Sequence, residues 1–327
     1  MAILPLFLFV IMKVSLKGFK TFPWRRLPYL LIESGKQWNK DDVWQLSASI
    51  AYYAILSLPG LLVIILNVVG LIWDQEIATG RLVTDLSGLI GWDAAEDINE
   101  LLQTANQDDG VIASIIGVAT LIFGATGIFY QLQVSLNKIW RLKVNPKTPW
   151  WKLLTDRAKS FGFILVVGFL IMISFVLSAF IAVLQGLIEA NLPDYLIYVA
   201  YIINFLLSLV IIAFLFALMF RYLPDALVKW KIIWPGAIVT ALLFELGKFL
   251  LEIYFTNSSP ASAYGAAGLV VLLLLWVSYS ALILFYGAEF VKIYAQEFFD
   301  GIKPSRKAIK YKEEIITVIE PDDPIIE

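Results

Sequence analysis

Three ionisable side chains, Glu245, Lys248 and Glu252, stand inside an apolar run from Pro235 to Phe255. Spacings of three, four and seven residues place them on one face of a helix. A charge near the middle of a bilayer costs about 2.5 to 3.5 kcal/mol on insertion scales, so this face turns toward protein or water. Lys248 can pair with either acid, which leaves one carboxyl in excess. The candidate chemistry is an exchangeable proton on Glu245, or a carboxylate that meets a cationic substrate. Counted from the polar turn 257–265, Trp276 lies at the depth of Glu245, roughly 15 Å at about 1.5 Å per residue. Tyr279, on a similar face, is placed to donate a hydrogen bond to Glu245. A second polar stripe, Thr126, Tyr130, Gln133 and Asn137, descends one helical face toward the basic end at Lys138 and Arg141. Such a stripe either lines a cavity or joins helices, and the sequence leaves both readings open.

The elements that carry these residues belong to a membrane. Hydrophobic residues make up 60% of the 327 positions and charged residues 16%, outside the range of ordinary soluble domains. The chain has no cysteine and no histidine, which excludes disulfides, thiol nucleophiles, imidazole bases and the metal and haem sites built on those ligands. We expect no cofactor and no metal. Six runs are long enough to cross about 30 Å of hydrocarbon: 46–73, 111–132, 158–188, 195–220, 232–255 and 266–290. The predicted fold is an all-α integral membrane protein with six transmembrane helices in one bundle. An even count puts both termini on one side. Lys and Arg number seven over 13–40, seven over 138–159, three over 221–231 and six from Lys292 onward, against only Arg81 in the opposite connections. The positive-inside rule makes both termini cytoplasmic.

Residues 1–45 form a basic N-terminal segment. Its first apolar stretch is too short to span, and either Met1 or Met12 is the start. Lys17 to Lys40 suits a helix lying on an anionic leaflet, or a tethered lead-in. In the first span, Pro59 and Gly60 mark a candidate hinge, because proline removes a ladder bond and glycine eases bending. The outer loop 74–110 is too long for a plain turn and carries apolar residues at helical spacing, so short amphipathic helices are expected there. Residues 291–327 read as a charged cytoplasmic tail, mobile from Lys303 onward.

Several short runs, taken in order, resemble a known family. They are Ala51-Tyr52-Tyr53-Ala54, Ala125-Thr126-Gly127 through Leu136-Asn137-Lys138-Ile139-Trp140, Trp234-Pro235-Gly236-Ala237, Phe244-Glu245-Leu246-Gly247-Lys248, Tyr264-Gly265, Trp276 and Gly287-Ala288-Glu289. Together they are similar to the YihY/BrkB family of bacterial inner-membrane proteins, over roughly 34–297. The resemblance implies six spans in the inner membrane, and a family once labelled ribonuclease BN or virulence factor whose biochemical role is unassigned. The family usually has proline where Gly60 stands, so a shared kink is shifted here.

The expected function is a transporter, exporter or lipid-handling protein acting on a small molecule, ion or lipid, with membrane lipids as partners. A non-catalytic envelope scaffold is the alternative. Enzyme activity is not expected: a nuclease needs histidine or clustered carboxylates beside a nucleic-acid groove, and the carboxylates here fall mostly in the outer connection. No nucleic-acid partner is expected.

Overall fold

The computed structural model describes residues 23–72, 127–146, 194–258 and 268–311. After a 3-10 turn at Trp24–Arg26 come helices α1 (Leu27–Lys40), α2 (Val43–Ile72), α3 (127–139), α4 (Asp194–Tyr222), α5 (Trp230–Ser258) and α6 (Gly268–Phe298). Predicted spans one, four, five and six fall on α2, α4, α5 and α6. Span three and the outer loop 74–110 lie outside the described residues.

Among the described residues, two helical stretches are long and apolar enough to cross a membrane, Trp230–Leu251 and Val270–Phe298, with a shorter apolar stretch at Ser208–Tyr222. Their amphipathicity is inverted relative to a soluble helix. Leu242, Leu246, Phe249 and Leu250 of α5 are exposed while Glu245 is buried. Ile202, Phe205 and Leu206 of α4 are exposed as well. An apolar outer surface suits hydrocarbon as the solvent.

Helix α6 is the centre of the packing, touching α1, α2 and α5, while α4 lies against α5. The α5–α6 contact is close because small residues meet there. Gly236 faces Val291 and the Gly287 carbonyl, and a Cβ on Gly287 would overlap the Thr240 hydroxyl. Pro235 lies inside α5, one turn beyond its start at Trp230. Around this crossing Phe220, Ile233, Phe285, Phe290 and Val291 have no exposure.

Two expectations are corrected here. Helix α1 packs on the bundle along one face rather than forming a tethered lead-in. Leu30 and Ser34 are buried, the Trp38 indole N–H donates to the Leu282 carbonyl at 3.0 Å, and the Tyr286 hydroxyl donates to the Leu31 carbonyl at 2.8 Å. Of the stretch 303–327 expected to be mobile, the described part, 303–311, contains two short strands, and 312–327 lies outside the described residues. Strand β1 (Leu142–Val144) pairs antiparallel with β4 (Ala308–Lys310), and β2 (Ala226–Leu227) with β3 (Lys303–Pro304). Ile302 and Ala308 are buried, which anchors the segment. The charge count hid this, because two apolar side chains and a backbone ladder suffice to dock a polar strand. The ends of α3, α4 and α6 and the start of α5 are thereby gathered at one end of the bundle.

Helix α2 runs through Pro59 and Gly60 without leaving the helical conformation. The candidate hinge is therefore helical here.

Candidate functional site

Glu245 sits on the inner face of α5, where its side chain is 8% exposed. Lys248, one turn on, places Nζ 2.7 Å from Oε2, and the Ser208 hydroxyl of α4 donates to Oε1 at 3.2 Å. The carboxylate thus has one partner on its own helix and one across the α4–α5 contact. The Lys248 side chain is 47% exposed, so the pair lies at the edge of the buried face.

The expected donor is not the one used. The Tyr279 ring lies over Gly247, where a Cβ would collide with it, and Ser208 supplies the hydroxyl to Glu245 instead. Trp276 stands edge-on to Phe244 with ring centroids 5.9 Å apart, so it packs beside the site without bonding to it. Glu252 lies on α5 with its side chain outside the described residues, and Thr126 lies outside them altogether.

The polar stripe of α3 joins elements. Asn137 donates to Asp225 Oδ2 at 2.8 Å and accepts from the Asp225 backbone N–H at 2.8 Å, while Gln133 donates to both Asp225 oxygens at 3.3 Å. These two amides cap the α4–α5 connection from the end of α3. Tyr130, higher on the same helix, is 51% exposed.

A second buried charge cluster lies at this end, and sequence reasoning did not find it. Asp41, at the joint between α1 and α2, receives Arg141 at 2.7 Å on Oδ1 and Lys292 at 3.3 Å on Oδ2. Lys292 is shared with Glu289, one turn earlier on α6, at 3.1 Å from Oε1 and 2.8 Å from Oε2. The approach to Oε2 is off the hydrogen-bond direction, and that atom has no hydrogen-bond partner. Two acidic and two basic side chains meet here. Burial alone would raise the Asp41 pKa, yet a hydrogen bond with the Glu289 carboxyl, the Lys292 ammonium and the Arg141 guanidinium together hold it below the usual carboxylate range.

The backbone beside this cluster is strained. Asp42 and Arg141 have φ of 50° and 57°, the left-handed region that side chains rarely adopt. Such conformations persist where the surroundings over-determine them, and at Arg141 the ion pair to Asp41 does so. A sequence signal existed: Glu289-Phe290-Val291-Lys292 repeats the Glu-x-x-Lys spacing of Glu245-Leu246-Gly247-Lys248. Asp41 and Arg141, in connections far apart in sequence, gave none.

Long apolar helices that expose aliphatic side chains and bury Glu245 define a helical membrane protein. The chain belongs to the family described as virulence factor BrkB, whose family model matches residues 35–311. It is similar to the UPF0761 membrane protein of Verminephrobacter eiseniae, 26% identical over 274 residues, covering 82% of this chain and 61% of that relative. The UPF0761 membrane protein of Psychromonas ingrahamii is 25% identical over 269 residues, covering 77% of this chain and 82% of the relative. That of Yersinia pestis is 31% identical over 182 residues, covering 54% of this chain and 57% of the relative. The match thus spans less than two thirds of the Verminephrobacter and Yersinia proteins. No solved structure matches the chain.

Proposed function

We propose that this chain is a six-span inner-membrane protein with both termini cytoplasmic, acting as a transporter, exporter or lipid-handling protein with no covalent catalysis of its own. The observation that carries the reading is Glu245, a carboxylate buried within the apolar α5 and bridged to α4 by Ser208. A charge held there against the insertion cost, with a single cation as its ion-pair partner, is an economical place to take up a proton or a cationic group. Coupling follows from the α4–α5 bridge, because a change in the charge of Glu245 alters a bond between two helices.

A scaffold is the second reading, favoured by one observation. The cluster around Asp41 and the amide clamp on Asp225 tie helix ends and connections together, and groups of that kind fix helix register without moving anything.

The test uses purified protein in liposomes with two probes: a trapped pH dye that reports proton entry, and a fluorescent headgroup-labelled phospholipid whose accessibility to an impermeant quencher reports translocation between leaflets. Transport or lipid handling gives at least one signal above protein-free liposomes. Silence in both, with folded protein verified in the same vesicles, favours the scaffold.

A further inference from the structure

The two ribbons at the gathered end of the bundle share an unusual surface. In the β1–β4 ribbon, exposed Lys143 stands directly opposite exposed Ile309 on one face, while buried Leu142 and Ala308 share the other face with Val144 and Lys310. In the β2–β3 ribbon, exposed Lys303 stands directly opposite Leu227, which is 63% exposed. Each ribbon therefore presents a cross-strand pair of one cation and one branched aliphatic. The turn before α1 repeats the composition, with exposed Trp24 beside exposed Arg25 and Arg26.

Topology explains the cations, since positive residues collect on one side of a membrane protein. It does not explain the aliphatics. The open face of a two-stranded ribbon in water is ordinarily polar, and leaving Ile309 and Leu227 out forfeits the stabilisation their burial would give. An anionic leaflet satisfies both groups at once, because the aliphatic side chains enter the headgroup boundary while the ammonium groups meet phosphates.

The surface is also fixed in place. The Asn145 N–H donates to the Lys307 carbonyl at 2.8 Å, the Ser305 N–H to the Asp225 carbonyl at 2.9 Å, and the Tyr311 N–H to the Arg141 carbonyl at 3.1 Å. Backbone bonds thus hold the C-terminal segment on the connections after α3 and α4.

We propose that the outer faces of the two ribbons form a docking surface for anionic phospholipid headgroups, with the paired lysines meeting the phosphates and Ile309 and Leu227 entering the interface. The docking is independent of any transport activity.

The experiment titrates delipidated full-length protein in neutral detergent with phosphatidylglycerol or phosphatidylcholine, following bound lipid by native mass spectrometry and the melting temperature by intrinsic fluorescence. Phosphatidylglycerol should bind more tightly and raise Tm further. Each cation near an anionic surface contributes about a fivefold gain in affinity, so Lys143→Gln with Lys303→Gln should lower the phosphatidylglycerol affinity by about 25-fold and leave phosphatidylcholine binding unchanged. Ile309→Ser should weaken both lipids. Inorganic phosphate should give no Tm rise, which separates a lipid surface from a free-phosphate site. The wild-type preference should also shrink with added salt, a readout that holds even where the double variant folds poorly. Equal affinity for the two lipids, a preference indifferent to salt, or a folded double variant that retains the wild-type preference overturns the proposal. Dimerisation through the ribbons on adding lipid, or binding of an acidic peptide in place of lipid, would also overturn it.

Discussion

At the residue scale, charge in this protein is held in two ways. Among the described residues Glu245 has one cation and one hydroxyl and lies among apolar helices, whereas Asp41 has two cations and stands in a cluster of two acidic and two basic side chains. The Asp41 cluster behaves as a structural tie. Its folded pKa lies below the ordinary value of 3.8, so Asp41 contributes stability above that value and loses it as the pH falls through the lower, folded value. Asp41→Asn should lower stability by about 3 to 5 kcal/mol at pH 7, because it leaves Lys292 and Arg141 without their shared anion. It should also remove Asp41's share of the acid limb below about pH 4. Thermal melts of both proteins in detergent between pH 3 and 8, read as order-of-magnitude shifts, check this. Parallel pH profiles would mean that Asp41 is not the group that titrates.

The stripe at Glu245 was readable because helical periodicity is a local property, and three charges in an apolar run are conspicuous. Its donor was not readable, since Ser208 comes from another helix and a serine in an apolar span is unremarkable in sequence. Tyr279 was the wrong expectation for a physical reason: the missing side chain at Gly247 lets the ring pack flat onto α5 and draws it away from the carboxylate.

At the scale of elements, short motifs that were individually undecisive prove to be contact partners. Gly127 packs on Tyr53, Gly236 faces Val291 and the Gly287 carbonyl, Phe244 meets Trp276, and the Trp140 indole N–H donates to the Ala288 carbonyl at 3.0 Å. The motifs therefore mark where helices approach each other, and the glycines among them are spaces for a neighbour. Gly287→Ala is the sharpest test, since its Cβ would meet the Thr240 hydroxyl on α5. It should destabilise the bundle by about 1 to 3 kcal/mol through overpacking, and adding Thr240→Ala should restore part of the loss. Stability curves for the single and double variants decide it, and strictly additive losses would show that the two positions do not meet. The docked strands at 303–310 were illegible for the opposite reason, because a few residues of polar ribbon carry no periodic signal and their partners lie in distant connections.

At the scale of the whole molecule, hydropathy and basic-residue counts led to the expected topology, and the structure adds that the ends of α3, α4 and α6 share one end with the start of α1 through the Arg26–Glu297 ion pair. Because the chain has no cysteine, single introduced thiols report sidedness cleanly. A thiol at Asp108 should react with an impermeant reagent added to intact cells, and one at Lys143 should react only after the membrane is opened. The reverse pattern would invert the orientation.

The central claim is that Glu245 works rather than merely holds α4 to α5. The direct measurement compares wild type with Glu245→Gln in the same liposomes, following proton entry and phospholipid translocation, after melting curves and gel filtration have matched the amount of folded protein. The account predicts that Glu245→Gln melts within a few degrees of wild type, since glutamine keeps the bond from Ser208, and loses whichever signal the wild type gives. A well-folded Glu245→Gln protein with wild-type flux would contradict it.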